Sequence, residues 1–217
     1  MTSVLLDALA AANSSTRLKA ALAIGTNPEP GFADVLVARS AIEPDFFVRD
    51  MLTWALTRLP SQITVPKLLA ELHSPRAQAR SQALHTLSKI GDSNAWPAIP
   101  RSLLRDADDE VARSAWRAAV VLVPDGEKAS LAEELATQLG RGDREVRLSL
   151  SRALVALGDV AEPVLRTAMR RYDPAVRAHA SATERLLRDP DAAFDLAVDA
   201  ARRVVALGPD REETTAC

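Results

Sequence analysis

The sequence predicts an all-α solenoid of about six helix–turn–helix repeats followed by a C-terminal capping helix, and three observations carry that reading. Six arginines, Arg17, Arg49, Arg80, Arg113, Arg147 and Arg177, recur at separations of 32, 31, 33, 34 and 30 residues. An apolar side chain follows each by three positions (Ala20, Leu52, Ala83, Trp116, Leu150, Ala180), and another follows by seven in all but the last copy, where Glu184 stands. Composition agrees: 47% of residues are hydrophobic and only 4% aromatic, which favours close-packed helices over sheets. Self-similarity at a period of about 20–50 residues is the mark of stacked units that share one elongated core.

The elements follow in order. Residues 2–12 open a first set of helices, continued near 31–43, 63–73, 93–106, 126–140 and 161–171. Pro66, Pro97, Pro100 and Pro163 cluster toward their starts, where a missing N–H is tolerated. Each arginine marks a second helix of the pair. Four residues before the arginines stand Asn13, Asp45, Arg76, Asp109, Asp143 and Asp173, five of them good N-cap residues. Pro75 and Pro174 suit a first helical turn. The second helices are expected to stop at Gly25, Pro60, Gly91, Pro124 and Gly158. Thr183 and Glu184 read as the polar outer side of a terminal unit, 190–207 as the capping helix and 208–217 as a disordered tail, so that 1–207 make one domain.

Charge and cysteine content narrow the function classes. With 27 basic and 29 acidic residues the formal net charge is −2, so no global bias toward nucleic acid or anionic membrane exists. Cys217 is the only cysteine, which leaves no intramolecular disulfide and no cysteine-based zinc site. The opening residues lack a basic n-region and carry Asp7, against a signal peptide. No apolar run is long enough to span a bilayer, so a cytoplasmic protein is expected.

The strings DFFVRDMLTWALTRL (45–59), ARSQALHTLSKIGD (79–92), DREVRLSLSRALVALGD (143–159) and DPAVRAHASA (173–182) resemble the HEAT repeat family, in particular the short repeats of phycobilisome-lyase-like HEAT proteins. The resemblance covers nearly the whole chain and is one of fold. It implies a right-handed stack whose second helices line a concave surface. An aspartate in one turn and an arginine near the helix start can hydrogen-bond between adjacent turns, and the resemblance implies the same ladder. Its expected members are Arg17, Arg49, Arg80, Arg113, Arg147 and Arg177 with Asp45, Asp109, Asp143 and Asp173.

At 100° per residue, positions three, seven and ten after each arginine face the core, and positions one, five and nine face away from it. The middle of these outward rows reads Leu22, Trp54, His85, Ala118, Arg152 and Ala182. The row at position one includes Asp50, Ser81 and Ser114, and the row at position nine includes Arg58, Lys89 and Leu122. Asp50, Met51, Trp54 and Arg58 on one helix, Gln82, His85 and Lys89 on the next, and Arg152 further along form the candidate binding surface, with Trp54 as its anchor. Trp116 is assigned to the core and Trp96 to a repeat junction, while one of Phe46 and Phe47 is expected to staple its turn and the other to extend the groove.

No metalloprotease, nucleophile-elbow, P-loop or dinucleotide motif occurs. His73, His85 and His179 lie in different units, which argues against a histidine metal site, and no cofactor is expected. An Asp50–His85 catalytic pair is conceivable from type alone. The expected function is a non-enzymatic scaffold or adaptor that binds a protein or peptide in the concave groove. The alternative is a HEAT-like DNA-binding protein or alkylated-base DNA glycosylase, since some such glycosylases are HEAT-like arrays with groove tryptophans and an aspartate. The sparse groove charges disfavour nucleic acid.

Overall fold

A computed structural model describes residues 2–189. They form eleven α-helices joined by turns and short 3-10 segments, with no strand among the described residues. The second helices of the six units are α2 (Ser14–Thr26), α4 (Phe46–Thr57), α6 (Ala77–Ile90), α7 (Asp109–Leu122), α9 (Arg144–Ala156) and α11 (Pro174–Arg188). Each packs against its successor, giving one continuous layer. The first helices are α1 (Thr2–Leu9), α3 (Ala33–Ser40), α5 (Ser61–Glu71), α8 (Lys128–Ala136) and α10 (Glu162–Ala168). They cover the other side of the shared core, as α3 on α5 and α8 on α10. The chain is an α-solenoid. The capping helix expected over 190–207, the tail 208–217 and Cys217 lie outside the described residues.

Caps explain where the second helices begin. Asn13, Asp45, Asp143 and Asp173 each accept a backbone N–H of the first turn, as their positions predict. Arg76 occupies the cap of α6 without a side-chain bond. Gly91 adopts a left-handed conformation at the end of α6 (φ 71°), which only glycine takes without strain. Gly25 departs from its assigned role as a stop: it lies inside α2, and its missing side chain is needed for packing. A Cβ there would stand 2.2 Å from Trp54 Cζ3 and 3.1 Å from Ala55 Cα.

The helix expected over 93–106 is instead two 3-10 segments, Ser93–Ala98 and Arg101–Arg105, with Ile99 and Pro100 extended between them. Two prolines three residues apart remove two amide donors and push their predecessors out of helical geometry. The unit nevertheless closes around tryptophan. Trp116 is wholly buried and donates Nε1–H to Leu104 O at 2.8 Å. Trp96 plugs the junction with the next unit, donating to Glu127 at 2.9 Å while the Arg101 guanidinium lies 4.0 Å from the ring centre.

The arginine ladder differs from expectation in its partners. Arg17, Arg49, Arg80 and Arg177 reach back to carbonyls of the turn before their own helix: Ala11 and Ala12, Glu43 and Pro44, Ser74, and Arg171 and Tyr172 respectively. Two of them also bridge to the following unit, Arg17 to Glu43 and Arg80 to Asp106, each across 26 residues. Asp45, Asp143 and Asp173 are committed to capping, so the carboxylates that receive arginines stand two residues before a cap. Asp109 is paired with Arg141 of the fifth unit (2.8 Å), not with a ladder arginine.

Arg113 and Arg147 make no ladder bond. The side chain of Arg147 is exposed, and Arg113 pairs with Glu110 on its own helix (2.6 Å). The cause at Arg113 is a one-residue slip. Asp108, not Asp109, caps α7 by accepting the Glu110 and Val111 amides. In the other units the arginine stands four residues after the cap; here that place belongs to Ala112, which is buried.

Candidate functional site

The slip at α7 rotates the outward face by one residue, about 100°. Ser114, Ala118 and Leu122, assigned to the groove rows, are buried. The face that α7 presents instead carries Arg113, Arg117 and Val121, of which Arg117 and Val121 are exposed. Read with that correction, the middle row becomes Leu22, Trp54, His85, Arg117, Arg152 and Ala182. A cationic stretch therefore occupies the centre of the second-helix layer, which counting from arginine to arginine concealed.

Two depressions flank α7. The first, of about 340 Å³, touches three successive helices: Phe46, Arg49 and Asp50 of α4, Gln82 and His85 of α6, and Glu110, Arg113 and Arg117 of α7. The second, of about 320 Å³, takes Lys89 from α6, Arg113 and Arg117 from α7, and Glu145 and Arg152 from α9. Both hollows lie on the second-helix side. Asp50, Gln82 and His85 are thus brought together in one hollow, and Lys89 and Arg152 in its neighbour. Trp54, Met51 and Arg58 line neither. Met51 is half-buried against the core and Arg58 is an exposed C-cap residue.

Trp54 is 38% exposed. The six-membered ring of its indole rests on Gly25 of α2, so one edge packs between helices while the remainder faces solvent. Phe46 and Phe47 meet edge-on with centroids 5.6 Å apart, and Arg49 lies 6.0 Å from the Phe46 ring centre. At 66% and 70% exposure neither phenylalanine staples its turn. Phe46, Asp50 and Trp54 follow one another at intervals of four residues and so share one face of α4.

Electrostatics on this surface are unbalanced. Burial lowers the affinity of the His85 imidazole for a proton, and the cations Arg117 and Lys89 add to that, while Asp50 opposes it. His85 is therefore a neutral ring at neutral pH. No hydrogen bond joins it to Asp50, and its conceived role as half of a catalytic pair has no contact behind it. Partial loss of solvent around the guanidinium of the exposed Arg117, and then the neighbouring Arg113, likewise lower it from its ordinary value, while Glu110 opposes them. No group of three or more metal-ligating side chains exists among the described residues.

A second cluster, between α9 and α11, carried no motif in the sequence. His179 Nδ1 accepts the Gly140 N–H at 3.0 Å, and Nε2 lies 3.0 Å from both Arg147 O and Ser151 Oγ. Ser151 Oγ is in turn 2.7 Å from Thr183 Oγ1, which donates to His179 O at 2.9 Å. A neutral ring with its proton on Nε2 satisfies all of these contacts. That tautomer leaves no lone pair facing Ser151, so the histidine cannot serve as a base for the hydroxyl. Burial lowers its proton affinity, consistent with the neutral form. The cluster is a packing device, and it explains Thr183: buried against α9 rather than on an outer polar side. Glu184 is buried as well and pairs with Arg188 at 2.5 Å.

No family model matches the chain, and no curated protein is detectably similar. Among solved structures, the chain is similar to the complex of CpcE and CpcF of phycocyanin lyase from Nostoc sp. PCC7120, with a TM-score of 0.49 and 20% identity over 83% of this chain and 74% of that one. It is also similar to two engineered proteins. One has a TM-score of 0.47 and 22% identity over 85% of this chain and 95% of its own. The other has a TM-score of 0.46 and 19% identity over 82% and 95%. Among the described residues no helix is long and apolar enough to cross a membrane.

Proposed function

We propose that this solenoid is a non-enzymatic protein- or peptide-binding module whose binding surface is the outward face of α4, α6, α7 and α9. The observation that carries the reading is the row Phe46, Asp50 and Trp54 on α4, placed beside the polar hollow that holds Gln82 and His85. Trp54, held by packing on Gly25 and partly exposed, is low-entropy contact area, and polar neighbours fix the orientation of what binds there. In this reading Trp54 and Phe46 supply buried area, and Asp50, Gln82, His85, Lys89 and Arg152 supply orientation.

Affinity capture from native lysate with the wild type, Trp54→Ala and the Trp54→Ala/His85→Ala double variant tests this. A partner retained by wild type and lost by both variants, with unchanged melting temperatures, supports the groove. A partner retained equally by all three proteins removes it. Salt-sensitive DNA binding with release of an alkylated base would replace it with the glycosylase reading.

A further inference from the structure

We infer that the two hollows flanking α7 recognise an acidic peptide segment, its carboxylates held by Arg113, Arg117, Lys89 and Arg152 and an adjoining apolar side chain seated on the Phe46–Trp54 face of α4. This rests on the peptide-binding reading above and names the chemistry of the occupant. Arg113 and Arg117 stand one turn apart on α7 and line both hollows. Like charges at that spacing oppose each other, and little in the protein offsets them. Arg113 Nη1 has only Glu110, and its Nε is buried without an acceptor. The side chain of Arg117 donates to the Ser114 hydroxyl at 3.0 Å and reaches no carboxylate. Neither Lys89 nor Arg152 lies within ion-pair distance of a carboxylate among the described residues. Four cations gathered around two hollows with one carboxylate contact between them are a surface that an anionic ligand completes, through charge-assisted bonds made only on binding.

The flanks point to peptide rather than nucleic acid. Asp50 and Glu110 line the first hollow and Glu145 the second, so the cations do not form an unbroken basic track. Helices packed about 8–10 Å apart spread the four cations over roughly 20 Å, the length of about six extended residues. A duplex carries a charge every ~1.7 Å along its axis and would run its backbone past those carboxylates. Phe46 beside the cations of the first hollow, with Trp54 about two turns along the same face of α4, suits a segment that alternates acidic and apolar side chains.

Selection of random peptides displayed on phage, against the full chain and against Arg113→Gln/Arg117→Gln, tests the inference. Neither arginine belongs to the core, the side chain of Arg113 being 26% exposed and Arg117 exposed, so the double variant is expected to keep the wild-type melting curve. Wild type should enrich peptides rich in Asp and Glu with a neighbouring Trp, Phe or Leu. The double variant should lose that enrichment and bind the best selected peptide at least about tenfold more weakly. Selection without acidic enrichment would overturn the inference, as would random single-stranded DNA displacing the peptide more effectively than unlabelled peptide does. Peptides sensitive to Trp54→Ala but indifferent to Arg113→Gln/Arg117→Gln would leave the binding module standing and remove the acidic ligand. Failure of wild type to select any peptide would remove both.

Discussion

Where α2 meets the turn of the second unit, the fully buried carboxylate Glu43 accepts hydrogen bonds from Arg17, Arg39 and the Asp45 amide. Where α9 meets α11, the corresponding junction holds a neutral imidazole hydrogen-bonded to a serine, a carbonyl and an amide. Both bury polar groups and both satisfy them, which is the condition for burying them at all. They differ in what happens when one partner is removed. At Glu43 two guanidinium groups lose their counter-charge, whereas at His179 only neutral groups are affected: the Gly140 N–H loses its acceptor, and Arg147 O and Ser151 Oγ lose a donor. Repeats with the same backbone plan can therefore be joined by interactions of very different fragility.

The largest expected effect follows directly. Glu43→Gln leaves Arg17 buried without a charge partner and should cost about 3–5 kcal/mol, read as a lowered urea midpoint with the loss of protection starting in α2 and α4. A cost near that of a surface pair would show that the charge at this junction is not what holds it. His179→Ala should cost about 1–3 kcal/mol by stranding the Gly140 N–H, with faster amide exchange confined to α9 and α11.

The same contrast separates the two ends by pH. Burial lowers the proton affinity of His179 below its ordinary value of 6.5. Burial would raise Glu43, but the hydrogen bonds from Arg17, Asp45 N–H and Arg39 overcome it and hold the carboxyl at about 2, below its ordinary 4.5. Each group binds protons more weakly in the folded state, so unfolding takes up protons and acid favours it. The His179 contribution is full above about 6.5 and falls as pH drops below that. The Glu43 contribution is full above about 4.5 and falls toward about 2. Amide exchange in α11 should therefore accelerate in mildly acidic buffer while α2 stays protected. His179→Ala should abolish that early step, and simultaneous loss at both ends would contradict it.

Gly25→Ala sharpens the comparison at the first junction. The helix gains propensity, but the new methyl cannot coexist with the Trp54 ring or the Ala55 backbone where they stand. A net cost of about 1–2 kcal/mol is expected, with stronger iodide quenching of tryptophan emission because Trp54 is the tryptophan displaced. Smallest of all, Asp34→Asn breaks the Lys67–Asp34 pair, which also joins two units but sits in solvent. It should change stability by about 0–1 kcal/mol. An effect as large as that of Glu43→Gln would mean that burial does not govern these links.

Much of this was readable beforehand. Asn13, Asp45, Asp143 and Asp173 cap as their positions predict, and Trp116 lies in the core where the repeat pattern puts it, because capping and apolar periodicity act within one helix. The register of α7 was harder. Asp108 and Asp109 are adjacent, and counting back from Arg113 selects the second. Val111, three residues after Asp108, matches Val48 after Asp45 and Val146 after Asp143, and was the signal that distinguishes them. The interval of 26 residues from Arg17 to Glu43 and from Arg80 to Asp106 was a second signal in plain view.

By itself the sequence determined the helical class, the repeat unit and most helix starts, since period, caps and breakers are local properties of the chain. Only the tertiary structure decided which carboxylates meet Arg17 and Arg80, that Gly25 makes room for Trp54, that His179 and Thr183 lock α11 to α9, and that Arg113 and Arg117 share a hollow with Lys89 and Arg152. Those depend on distances between side chains far apart in sequence. A shift of one residue in one helix, too small to disturb a period of about 32, turns its outward face by about 100° and changes which charges meet.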